Sequence, residues 1–83
     1  MDTLRNGSFI GRNVIEFRRR KNWTREQLAA KMQLLGCFMT CDSIANIETD
    51  RYDATQKEIM YLAEVFGVRV GEFFNNGNDN SLK

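Results

Sequence analysis

An all-α domain is the fold class this sequence predicts, on three observations. Apolar residues recur three and four apart through most of the chain. Two capping boxes, Thr24-Arg25-Glu26-Gln27 and Thr55-Gln56-Lys57-Glu58, mark helix starts. The 83 residues contain no proline and no convincing strand.

The spacing predicts five helices. Ile10, Val14 and Phe17 form the apolar stripe of the first, over residues 10–21, with Arg12, Asn13, Glu16 and Arg19 between them. Asn22 stops it and Trp23 follows as an apolar plug. The second runs over 25–34, with Leu28, Ala29, Met32 and Leu35 facing inward and Gly36 as a C-terminal cap. Thr40 is the expected N-cap of the third helix, over 41–49, whose inward residues are Ile44 and Ile47. The fourth, over 56–66, buries Ile59, Leu62, Ala63 and Phe66 and is closed by Gly67. A short fifth over 70–74 returns Phe73 and Phe74 to the core. Residues 9–74 make one domain, flanked by a flexible segment at 1–8 and a polar, disordered tail at 75–83.

Composition narrows the function classes. Histidine is absent, which removes the commonest general base and metal ligand. No catalytic dyad and no glycine-rich phosphate loop stands out, so no enzymatic activity and no cofactor are expected. Cys37 and Cys41, even with Asp42, fall short of the four ligands of a tetrahedral metal site. No apolar run has the length of a membrane span, and residues 1–10 lack a signal peptide's plan. A reduced, cytoplasmic protein is expected.

Twelve basic and eleven acidic side chains leave a net charge of +1. That total hides a polar molecule. Residues 1–31 carry eight basic and three acidic side chains, and residues 32–83 carry four and eight. The positive end lies on the first two helices.

Several separated motifs then point one way. Ile10-Gly11-Arg12-Asn13-Val14, followed by Phe17-Arg18-Arg19-Arg20-Lys21-Asn22-Trp23-Thr24-Arg25-Glu26-Gln27-Leu28-Ala29, resembles the opening of lambda repressor-like helix-turn-helix domains of the XRE/Cro type. Ile44-Ala45-Asn46-Ile47-Glu48 resembles the end of that family's recognition helix. Leu62-Ala63-Glu64-Val65-Phe66-Gly67-Val68 and Gly71-Glu72-Phe73-Phe74 resemble its closing helices. The resemblance spans residues 10–74. Two departures stand out. A lengthened connector, Gln33 to Met39, replaces the usual tight turn between helices 2 and 3. Thr49-Asp50-Arg51 stands where the family usually has a glycine.

The resemblance implies a sequence-specific DNA-binding transcriptional regulator. Its third helix would enter the major groove of double-stranded DNA, as a homodimer on a two-fold operator in the bacterial or phage nucleoid. By position, Cys41, Asp42 and Asn46 would face bases. Asn46 suits adenine, Asp42 the cytosine amino group and Cys41 a thymine methyl. Thr24, Arg25, Thr40, Ser43, Arg51 and Tyr52 would meet phosphates. Arg18 and Glu48 would form a structural ion pair. The third helix has no Lys or Arg before Arg51, so it lacks the commonest guanine contact. A dimer seam is expected on the fifth helix at Val70, Phe73 and Phe74.

Each assignment has a plainer counterpart. Asp42 also suits a first helical turn, where its charge meets the dipole. Arg18-Arg19-Arg20-Lys21 reads more simply as a solvated helix end than as a DNA contact, Trp23 as core rather than a base-stacking platform, and Cys37 as a buried thiol. Cys41 at a helix N-terminus is open to redox chemistry. The acidic Asp42, Asp50 and Asp53 also suit a protein-binding module on the same scaffold, either antitoxin-like or partner to a mobile-element regulator.

Overall fold

In the computed structural model, residues 7–75 are described. They form α1 (Gly7–Lys21), α2 (Arg25–Leu34), α3 (Cys41–Glu48) and α4 (Gln56–Phe66), then a closing 3-10 turn (Val70–Phe74). The expected fifth α-helix is therefore corrected. Its five residues close with an i to i−3 bond, Glu72 N–H to the Arg69 carbonyl at 2.9 Å, which is 3-10 geometry. A segment this short has no room for a ladder of α-type bonds. The expected N-terminal segment 1–8 and tail 75–83 fall outside the described residues at 1–6 and 76–83. Of the remainder, Gly7 and Ser8 lie in α1, and Asn75 accepts a hydrogen bond from Asn13.

Local chemistry explains the helix starts. Thr24 Oγ1 accepts from the Gln27 N–H at 3.0 Å while Gln27 Oε1 accepts from the Thr24 N–H at 2.8 Å. Thr55 and Glu58 repeat this at 3.1 and 2.9 Å. Thr40 caps α3 through the Ser43 N–H. Each device satisfies N–H groups that have no partner inside the helix.

One stop is used four times. One or two residues past each helix end the chain takes a left-handed conformation: Asn22 (φ 60), Gly36 (φ 97), Asp50 (φ 62) and Gly67 (φ 73). The next N–H then folds back to a carbonyl in the last turn. Trp23 reaches Arg18, Cys37 reaches Met32, Arg51 reaches Asn46 and Val68 reaches Ala63, at 2.8–3.1 Å.

The core is apolar and drawn from every element. Val14, Leu28, Met32, Ile44, Leu62 and Phe73 are almost wholly enclosed. Phe73 sits edge-on to Phe17 with ring centroids 5.2 Å apart, and Trp23 stacks on Phe66 at 5.8 Å. Three expectations shift. Leu35 is only half-buried, because the chain turns at Gly36. Phe74 is exposed beside buried Phe73, since neighbours on a tight turn face opposite ways. Asn13, placed among the polar residues between the stripe positions, is buried. Its Nδ2 donates to the carbonyls of Phe73 and Asn75, both at 2.9 Å, and pins the closing turn to α1.

Gly11 sets the approach of α1 to α3. A Cβ there would overlap the Ile47 carbonyl oxygen and lie 3.0 Å from that of Glu48. Only a hydrogen in place of the side chain lets α1 cross the C-terminal end of α3 at this distance.

Candidate nucleic-acid interface

α3 buries Ile44, Ile47 and Glu48 against α1 and α2. That leaves Asp42 and Thr49 exposed, with Ala45 and Asn46 half-exposed beside them. Asn46 also holds its own neighbourhood together. Its carbonyl accepts from the N–H groups of Arg51 at 2.8 Å and Tyr52 at 3.2 Å, placing both just beyond the helix. Arg51 is exposed. The Tyr52 hydroxyl donates to Glu58 at 3.2 Å, and the Glu58 charge pushes the phenol's pKa above its ordinary value.

The N-termini of α2 and α3 share one cleft of about 450 Å³, lined by Arg18, Thr24, Arg25, Glu26 and Cys41. Thr40 and Ser43 stand at the start of α3, their hydroxyl oxygens 3.1 Å apart. The structure thus brings Thr24, Arg25 and Cys41 together, with Thr40 and Ser43 at the head of the same helix. Asp42 and Asn46 lie along its outer side, and Arg51 and Tyr52 at its far end.

Beneath this surface lies a charge cluster. The Glu48 side chain is 0% exposed. Arg18 donates to it through Nε at 2.7 Å and Nη2 at 3.2 Å, and its Nη1 donates to the Trp23 carbonyl at 3.0 Å. Arg25 donates to the same carboxylate through Nε at 2.9 Å. One buried acid therefore receives two arginines and ties α1, α2 and α3 together. The second arginine is not legible in the sequence, since nothing in the spacing of Arg25 and Glu48 marks them as partners. Arg25 is accordingly not a free cation. Its Nε is occupied, while the side chain stays 43% exposed.

A family model described as Helix-turn-helix matches residues 14–73. The chain belongs to the lambda repressor-like helix-turn-helix family. This is a family of DNA-binding transcription regulators, generally without enzymatic activity. No curated protein and no solved structure matches the chain at the significance required.

In this helix-turn-helix protein the connector between α2 and α3 runs from Leu35 to Thr40, longer than the usual three or four residues. Cys37 packs against the core and Met39 is buried. Burial, helped by the Glu58 charge, pushes the Cys37 thiol up, so it is a poor nucleophile near neutral pH. Among the described residues, no group of three or more metal-ligating side chains is placed to hold an ion. None of the described helices is long and apolar enough to cross a membrane.

Proposed function

We propose that this chain is a sequence-specific repressor that acts by occupying a DNA operator, with α3 in the major groove. The supporting observation is the shared cleft of the α2 and α3 N-termini. It lets one docked duplex meet phosphate-binding groups and base-reading groups together. Thr24, Arg25, Thr40, Ser43, Arg51 and Tyr52 hold the phosphates. Cys41, Asp42 and Asn46 face base edges, Asn46 pairing with adenine. Arg18 and Glu48 keep the three helices in register. The site of action is the cytoplasm, at the nucleoid.

The protein acts as a homodimer on a two-fold site. Two copies nearly double the surface buried on DNA and set the half-site spacing. The seam uses the exposed Val70 and Phe74; Phe73 is fully enclosed in the monomer and is not available to it.

Selection of bound duplexes from a random DNA pool tests this reading. The expected result is a two-fold consensus with strongly salt-dependent affinity. Arg25→Ala should weaken binding evenly across sequences and lower the salt slope by about one. Asn46→Ala should relax one base pair in each half-site. Unchanged preference in Asn46→Ala refutes the assignment of the reading face.

A second reading follows from the exposed Asp42, Asp50 and Asp53, which disfavour phosphates. It is a protein-binding module on the same scaffold. No binding to any duplex at low salt, with a stable protein complex instead, decides for it.

A further inference from the structure

We infer that Phe38 reads a thymine methyl group at one end of the site occupied by α3. This rests on the assignment of α3 to the major groove. Phe38 is 80% exposed, between two neighbours that face inward, as alternation along an extended connector dictates. Cys37 packs on the core and Met39 is 2% exposed. The ring is therefore held outward, and turning it in would pull Met39 out of the core.

Its position gives the ring an address. Phe38 precedes the α3 N-cap, Thr40, by two residues, a reach of about 7 Å at most. It stands at the same end of α3 as Cys41 and Asp42. Thymine is distinguished in the major groove by its C5 methyl, which calls for an apolar partner. Cys41, the other apolar group at this end, is half-buried at the arginine-lined cleft. Phe38 is the exposed apolar side chain nearest in sequence to the start of α3.

The test uses the full chain and its Phe38→Ala variant, each selecting duplexes from a random pool. Thermal melts of both confirm that this exposed position leaves the fold intact. The expected result is a thymine preference at the outer edge of each half-site, lost in Phe38→Ala. Deoxyuridine, which lacks only the methyl, is then placed there. The unaltered chain should lose about fourfold in affinity, the equivalent of one buried methyl group. Phe38→Ala should bind both duplexes equally.

Equal binding of thymine and uracil duplexes by the unaltered chain overturns the inference while leaving the DNA-binding assignment standing. So does a Phe38→Ala variant that keeps the thymine preference. Leu34, 86% exposed at the end of α2, makes a second copy the competing occupant. Loss of self-association in Phe38→Ala, with thymine discrimination retained, overturns the inference in that direction. Failure of the unaltered chain to bind any duplex removes the assignment of α3 itself.

Discussion

Replacing Arg18 and Arg25 one at a time tests how the buried carboxylate is held. Arg18 makes two bonds to Glu48, at 2.7 and 3.2 Å, and is 17% exposed. Arg25 makes one, at 2.9 Å, and is 43% exposed. Arg18→Ala leaves a wholly enclosed carboxylate with one half-exposed partner and also removes the bond to the Trp23 carbonyl. Breaking a buried pair in this way costs about 3 kcal/mol. Arg25→Ala leaves the Arg18 pairing intact, and solvent screens what is lost, so its cost is about 1 kcal/mol or less. In a domain of this size each kcal/mol lowers the melting temperature by about 4–8 °C. The two variants should therefore separate by roughly 10 °C. Urea and thermal unfolding read this directly through the one tryptophan, Trp23, which stacks on Phe66. The double variant strips the carboxylate of both partners and should cost more than the two single effects added together. Equal losses from the two single variants, or a larger loss from Arg25→Ala, refute the picture of an acid held chiefly by Arg18.

Other outcomes follow from the same geometry. Gly11→Ala should destabilise the fold by about 1–3 kcal/mol, because its methyl meets the α3 backbone, which has little freedom to move; an unchanged melting temperature counts against the close crossing. Asp50→Gly should raise stability by about 1 kcal/mol, since it relieves a left-handed side chain and removes a negative charge from a helix C-terminus; a lower melting temperature counts against it. The Cys37 thiol holds its proton more tightly in the fold than in the unfolded chain, so its contribution to stability is complete below the unfolded thiol's pKa and fades as pH rises through the raised value. Mass-resolved alkylation at pH 8 should accordingly label Cys37 more slowly in the native protein than in denatured chain; equal rates contradict this.

What was legible in the sequence depended on how local the signal was. The bounds of α2 and α4 follow from capping boxes at one end and glycines at the other, both short-range devices. The apolar stripe of α1 begins only at Ile10, so periodicity starts the helix there, whereas the structure continues it back to Gly7. Periodicity puts Asn13 on the polar side, yet its amide bonds to carbonyls some sixty residues away, which no local pattern reveals. Phe73 and Phe74 look alike in sequence, and only the tight turn assigns one inward and the other out. In the candidate site, Thr24 and Thr40 follow from capping chemistry. The Arg25–Glu48 bond does not, since it depends on how three helices cross.

The two ends of α3 are under different constraints. Its C-terminal end is wedged beneath α1 at Gly11 and bound through Glu48 to two arginines. Its N-terminal end begins from a connector whose exposed positions carry little of the core. Substitutions near Ile47 and Glu48 therefore strike at folding, whereas changes at Phe38 and Asp42 alter the exposed chemistry at small thermodynamic risk. The helix thus has a fixed root and a free tip, so the chemistry at its start can vary without rebuilding the core.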